Sequence, residues 1–347
     1  MSEARASSAA SAPAPVTKAR RFRELLRDAR PLVAPGVYDG YSARLVEAMG
    51  FKTAATTGAG IANSRMSEPD IGILSLTENV DACRQLARSI AIPLTADADT
   101  GYGNAVTVYH AVQYFEEAGV VGINLEDQVS PKRCGHMRGK EVISTAEMCK
   151  KIEAALRARR DPDFVINART DSIATGGIEE ALRRAKAYAA AGADMIYADA
   201  IRSEDDIARL MEALPGTPLN VNMGFGIRAR PTSPLIPLRR LKALGVARVS
   251  CPRLLSAAAL SGMRKALAVM QESIASGEAA DRPDLAVGME DITALMGYPR
   301  INELEQAFML EDELERRYGD GARDFVVRAE GNDRAGKDGA GKDTAGA

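Results

Sequence analysis

Eight short apolar runs alternate with longer stretches of helical spacing between residues 32 and 275. The runs are 32–38, 52–57, 92–97, 120–126, 164–169, 194–199, 218–223 and 246–251. Several are nearly all apolar, the pattern of strands covered on both faces. Helical stretches lie at 77–90, 105–118, 145–158, 178–191, 204–213 and 256–275. Thr77 and Ser144 occupy N-cap positions, and Glu147 follows Ser144 at capping-box spacing. Gly50, Gly119, Gly192 and Gly245 each close a helical stretch shortly before a strand. Glycine there accepts the left-handed conformation that stops a helix. This alternation predicts a parallel (β/α)8 barrel of the TIM type. A doubly wound open sheet would alternate in the same way. No Gly-x-Gly-x-x-Gly fingerprint follows the first strand, which weighs against dinucleotide binding.

Residues 1–18 are rich in Ala, Ser and Pro, and residues 328–347 repeat Gly, Ala, Lys and Asp. Neither segment has enough apolar surface to offset its ordering entropy. Both are expected to be disordered tails of a single barrel domain over residues 19–327. Helical patterns at 291–297 and 301–319 predict additional C-terminal helices outside the barrel. Basic and acidic residues number 45 and 47, so no basic excess points to nucleic acid. No apolar run reaches the roughly 18 residues of a membrane span. The N-terminal stretch lacks the apolar core of a secretory signal. Cys83, Cys134, Cys149 and Cys251 stand apart, with no Cys-x-x-Cys pair. A cytoplasmic protein is expected, with no nucleic-acid or membrane partner.

Catalytic groups of a parallel barrel collect at the C-terminal strand ends. Polar residues follow the apolar runs there: Asp97 to Gly103, Glu126-Asp127-Gln128, Asn167 to Asp171, Asp199, and Asn220 with Asn222. Asp97, Asp99, Glu126 and Asp127, aimed into one cavity, would repel each other without a cation. Hard oxygen donors favour Mg2+, or Mn2+ as a substitute. Strand-end caps facing solvent are the plainer explanation of each acid alone. Recurrence on adjacent strands favours the metal.

Next comes Pro131-Lys132-Arg133-Cys134-Gly135-His136-Met137-Arg138-Gly139-Lys140. Its basic side chains are Lys132, Arg133, Arg138 and Lys140, joined by His136 when protonated. Cationic neighbours lower a thiol pKa and make Cys134 usable as an acid or base. Flanking glycines fit a loop that closes over substrate. A solvated basic loop with an incidental cysteine fits the residue types as well. Cys83, Cys149 and Cys251 read as structural, and His110 as packed or surface-lying.

Five segments in order resemble the isocitrate lyase and phosphoenolpyruvate mutase superfamily. They are Pro69-Asp70-Ile71-Gly72, Asp97-Ala98-Asp99-Thr100-Gly101-Tyr102-Gly103, Glu126-Asp127-Gln128, Lys132-Arg133-Cys134-Gly135-His136 and Ala168-Arg169-Thr170-Asp171. The resemblance spans roughly residues 20–310 and is strongest to lyases of 2-methylisocitrate and 2,3-dimethylmalate. It implies a TIM-like barrel whose last helix swaps with a neighbouring subunit in a homotetramer, a dimer of dimers. It implies Mg2+ on Asp99, with Asp97 and Glu126 contributing directly or through water, and Asp70 supporting the water shell. Thr57, Gly58 and Ala59 would lie beside a small carboxylate substrate and offer backbone donors. Arg169 would grip a substrate carboxylate, with Asn222, Gly135 and His136 also at the substrate. Cys134 would be the proton donor on a gating loop.

The implied reaction is cleavage of a 2-hydroxy di- or tricarboxylate to pyruvate, or another 2-oxo acid, and a saturated acid. A divalent ion lowers the pKa of the chelated hydroxyl. The departing fragment is a carboxylate-stabilised carbanion, which the basic loop offsets and Cys134 protonates. Oxaloacetate hydrolysis or decarboxylation, or phosphonomutase chemistry, is the alternative on the same metal. Methylisocitrate lyases carry Tyr where this chain has Ala55, Glu where it has Asp199, and Thr-Glu where it has Met223-Gly224. These departures leave the general base unassigned and make a smaller alkylmalate-type substrate plausible.

Overall fold

The structure, a computed structural model, describes residues 16–28, 31–135, 137–225 and 234–319. The terminal segments 1–15 and 320–347, and with them the tail expected at 328–347, lie outside the described residues. The chain divides into two compact units between Glu278 and Ala279.

In the first unit, α1 (Lys18–Asp28) precedes β1 (Leu32–Val37), α2 (Gly40–Ala48) and β2 (Ala54–Thr56). A short α3 (Gly58–Ile61) runs into a π-helical turn (Ala62–Met66), followed by α4 (Leu76–Ser89). Then come β3 (Leu94–Asp97), α5 (Ala105–Glu117), β4 (Gly122–Glu126), α6 (Thr145–Ala158), β5 (Val165–Thr170) and α7 (Ile173–Ala190). The unit continues through β6 (Met195–Ala198), α8 (Glu204–Ala213), β7 (Leu219–Asn222), α9 (Leu238–Ala243), β8 (Arg248–Cys251) and α10 (Leu254–Ser276). All eight strands pair in parallel and in chain order, and β1 closes on β8 with Leu32 opposite Arg248. A closed barrel therefore settles the choice between barrel and open sheet. The second unit carries α11 (Met289–Leu295), α12 (Tyr298–Phe308) and α13 (Glu311–Tyr318).

Every apolar run becomes a strand, most of them trimmed by one to three residues, while β5 runs one residue past its expected end to Thr170. The four helix-stop glycines have φ of +81°, +88°, +99° and +81° at Gly50, Gly119, Gly192 and Gly245. Ser144 caps α6 by accepting from the Glu147 amide. Thr77 is not a cap. Ser75 is, in a full capping box with Glu78, so α4 starts one residue before Thr77. The expected helix at 178–191 is present to within a residue, and a separate turn from Ile173, set off by Gly177 at φ +75°, precedes it within α7.

The main core lies between strands and helices, where Phe115, Leu125, Met148, Ile152, Ile166 and Tyr188 are fully buried. Each such side chain stabilises the fold by about 1.5–3 kcal/mol. Phe22, Leu25 and Leu26 of α1 pack on Leu32, Val121, Val165 and Met195, at or just before the N-terminal strand ends. Helix α1 thus seals that end of the barrel. Above it, the buried Arg248 guanidinium lies 5.7 Å from the Phe22 ring and donates to Thr95 Oγ1 at 2.6 Å. Helix α10 differs from the other helices of the first unit that flank the strands: it packs on the core only through the partly buried Leu254 and Leu255 of its first turn. Leu260, Met263, Leu267, Met270 and Ile274 form an exposed stripe at alternating spacings of three and four. Among the described residues, no helix is long and apolar enough to cross a membrane.

Candidate active site

The opposite mouth holds the polar residues. Three non-glycine residues there occupy left-handed backbone: Asp99 and Tyr102 after β3 (φ +47° and +62°), and Ala200 after β6 (φ +66°). Such conformations cost about 1–2 kcal/mol each and persist where the surroundings enforce them.

Asp97 ends β3, and its carboxylate accepts from the Gly58 and Asp99 amides, each at 3.3 Å. Asp99 is buried, and burial pushes its carboxyl up to about 6 against the pull of Lys132. Glu126, at the end of β4, is pushed well above the usual carboxylate range by burial, with Arg169 opposing. The Lys132 ammonium stands 2.5 Å from Asp70 and 2.9 Å from Asp99. Burial disfavours that ammonium, yet Asp99, Glu126, Asp97 and Asp70 together raise its pKa well above normal. Asp70 goes the other way: burial raises it, and Lys132 outweighs burial and holds it below the usual range.

Among the described residues, no three His, Cys, Asp or Glu side chains converge tightly enough to cage a metal by themselves. The expected ligand set is therefore more open than a protein-only cage. It still fits Mg2+, which keeps several waters and needs only one or two carboxylates. A Cβ on Gly58 would stand 3.0 Å from Asp97 Oδ2 and 3.4 Å from Asp99 Oδ1, so both acids face one point. Glu126 Oε1 is buried without a hydrogen-bond partner. Asp127 does not belong to this group. Its oxygens accept from Thr170 Oγ1, Tyr188 OH, Arg184 Nη1 and the Asp171 amide at 2.7–3.1 Å. It is a strut between β5 and α7. Asp127→Ala is expected to cost about 3–5 kcal/mol, as removal of one buried partner does. Urea unfolding measures this, and an unchanged midpoint would contradict the assignment.

The loop after β4 lies over the carboxylates. Gln128 clamps it, donating to the Arg133 carbonyl and accepting from the Arg133 amide, each at 2.9 Å. The Cys134 amide donates to the Asp70 carbonyl at 3.0 Å, and the Cys134 sulfur accepts from Arg253 Nη2 at 3.0 Å. Burial pushes the thiol up despite Arg253 and Lys132. The basic loop therefore does not make a thiolate; it leaves Cys134 protonated. Gly135 approaches so closely that a Cβ would lie 2.6 Å from Asp199 Oδ2. His136, expected at the substrate, lies outside the described residues.

Arg169, on β5, is bound by three carboxylates: Asp171 at 2.8 Å, Glu126 at 3.2 Å and Asp199 at 3.6 Å. Its guanidinium also lies 5.1 Å from the Tyr197 ring centre. Lys140 completes the cluster, 2.8 Å from Asp171 and 3.2 Å from Asp199. Burial raises Asp199, and Arg169 and Lys140 outweigh that, holding it at about 2. Asn222, at the end of β7, donates to the Tyr197 hydroxyl and accepts from Ser250 Oγ at 2.6 Å. Thr57 caps α3, accepting from the Gly60 amide at 3.2 Å, so its hydroxyl serves the local turn. The Gly58 amide already serves Asp97, while Ala59 is buried beside it. Tyr197 and Arg253 belong to no motif, and neither is recognisable from its sequence neighbours.

The family described as phosphoenolpyruvate phosphomutase matches residues 22–271. The chain is 39% identical to a 2,3-dimethylmalate lyase of Eubacterium barkeri, covering 84% of this chain and 98% of that one. It is 43% identical to a 2-methylisocitrate lyase of Shewanella oneidensis, covering 58% of this chain and 69% of that one. An oxaloacetate acetylhydrolase, solved with 3,3-difluorooxalacetate, superposes with TM-score 0.77 at 33% identity over 84% and 97% of the chains. A phosphonopyruvate hydrolase, solved with oxalate and Mg2+, gives 0.74 at 30% identity over 85% and 100%. With the match running from α1 into α10 and the acids, loop cysteine and arginine gathered at one mouth, the chain belongs to the phosphoenolpyruvate phosphomutase family.

Proposed function

We propose that this protein is a carbon–carbon lyase of 2-hydroxy di- or tricarboxylates of the 2,3-dialkylmalate or 2-methylisocitrate type. Its products are pyruvate, or another 2-oxo acid, and a saturated acid. The observation that carries the reading is a buried thiol held beside Asp70 at the carboxylate cluster by its own loop, where burial raises its pKa. Asp97, Asp99 and Glu126 would hold Mg2+ (with Mn2+ as substitute), and Asp70 would support its water shell. Bound there, the ion supplies Lewis acidity toward a hydroxyl and its neighbouring carboxylate. Arg169 fixes the strand-end carboxylates and presents positive charge toward the substrate. The clamped loop excludes water from the fragment that departs as a carbanion. Cys134 then delivers its proton: the S–H bond breaks, a C–H bond forms, and the thiolate regains a proton from solvent. A thiol with a raised pKa suits this role, because it must keep its proton until the carbanion appears. Asp199 in place of Glu and Met223-Gly224 after Asn222 favour the smaller dialkylmalate substrates.

Pyruvate release from 2,3-dimethylmalate and 2-methylisocitrate is the test. Turnover is expected with Mg2+ and abolished by EDTA. No pyruvate under either condition, with oxaloacetate consumed to oxalate, would replace the lyase reading by a hydrolase one.

The apolar stripe of α10 supports self-association. Exposed Leu, Met and Ile residues at coiled-coil spacing need a partner surface. A homo-oligomer, in which α10 packs on a second copy, is expected in light scattering. Leu267→Glu with Met270→Glu is expected to shift it toward monomer, and an unchanged mass would remove α10 from the interface.

A further inference from the structure

The loop cysteine has one donor on its sulfur, and that donor comes from the far side of the barrel. Arg253 lies between the end of β8 and the start of α10, 119 residues from Cys134. Its Nη2 reaches Cys134 Sγ at 3.0 Å. The other cations of this mouth are already matched. Lys132 faces Asp70 and Asp99, Lys140 faces Asp171 and Asp199, and Arg169 faces three acids. Arg253 makes no ion pair within 4.0 Å among the described residues, although its charge reaches Asp70, and it is half-buried. A guanidinium presents five donors in a planar fork suited to a carboxylate. Here most of that fork is uncommitted, beside the sulfur that holds the proton.

We propose that Arg253 is a carboxylate-binding residue of the active site, receiving the carboxylate of the fragment that Cys134 protonates. This rests on the lyase reading for the reaction, though not for the binding. The substrate is then a dicarboxylate whose carboxylates lie on either side of the bond that breaks, one of them seated on Arg253. Seated on Arg253, the departing carboxylate places its neighbouring carbon at the thiol. As that bond breaks, the carboxylate gathers a second negative charge, and the guanidinium offsets it where it develops. The proton moves from sulfur to carbon, and no oxidant or further reactant enters.

The first measurement needs no turnover. Iodoacetate and iodoacetamide alkylate Cys134 by the same displacement of iodide, and only the former carries a carboxylate. Mass spectrometry of the Cys134 peptide gives the ratio of the two rates. In Arg253→Met that ratio is expected to fall about tenfold, as for loss of a hydrogen bond to a charged group. Arg253→Lys is expected to recover part of it. The fully buried Cys83 is the fold control, since it reacts only when the barrel opens. Should Arg253→Met fail that control, Arg253→Gln replaces it. An unchanged ratio in a folded variant overturns the proposal.

The second measurement uses substrate. For the best dicarboxylate, Arg253→Met is expected to lower kcat/KM about 10²-fold, with part of the loss in kcat. For the analogue amidated at the departing carboxylate, wild type and variant are expected to be equal. An equal loss on both compounds would make Arg253 merely structural and overturn the proposal. If wild-type protein cleaves neither, the lyase reading fails, and the alkylation ratio alone decides for or against Arg253.

Discussion

Replacing Cys134 with serine is expected to lower kcat by about 10²–10⁴-fold, the range for a general acid. Binding of a 2-oxo acid such as pyruvate should survive. The thiol is held over the cluster by its amide bond to Asp70 and by Arg253, and its pKa is raised by burial. A serine hydroxyl fits the same space and is a far weaker acid, so the carbanion forms and returns to the intact bond. Pyruvate release and pyruvate binding, measured on the same preparation, separate the two effects. Full turnover in the variant would remove Cys134 from the proton-transfer step.

Arg169→Met is expected to lose both activity and stability. The side chain is the common partner of Glu126, Asp171 and Asp199, all nearly or fully buried. Removing it leaves Asp171 and Asp199 to Lys140 and Glu126 to the charge of Lys132, at a cost of about 3–5 kcal/mol. The pH dependence has a definite sign. In the wild type Asp199 is held at about 2, below its ordinary value, so it contributes stability above that ordinary value. That contribution declines as the pH falls below the ordinary value and is gone once it has passed through about 2. Without Arg169 burial dominates, the folded-state value rises, and the carboxylate destabilises the variant at neutral pH. The gap between variant and wild type is therefore widest near neutrality and narrows as acid protonates the cluster. Urea unfolding at two pH values checks this, and a gap that widens in acid would contradict it.

Much of the barrel was legible because its determinants are local. A strand covered on both faces must be apolar, and a helix that ends before a strand needs a residue tolerant of left-handed backbone. Those constraints marked all eight strands and the glycines that precede several of them. The mouth was legible through acids that recur just past β3, β4, β5 and β6. What escaped were contacts joining distant strands. Asp127 sits beside Glu126 in sequence, yet its side chain points outward to Tyr188 and Arg184, because neighbours on a strand face opposite sides. The basic residues around Cys134 suggested an activated thiolate. Lys132 and Lys140 are instead consumed by acids, and burial decides the sulfur. Arg253 has no local pattern, and only closure of β8 onto β1 brings it to the loop.

Sealing of the barrel floor by α1 has a consequence for traffic. With Phe22 and its neighbours packed at one end, the described residues leave access to the acids from the opposite mouth, beside the Cys134 loop. On the proposed lyase reading, two fragments formed together would share that exit. The fragment nearer the loop would then leave before the deeper one, and release would be ordered.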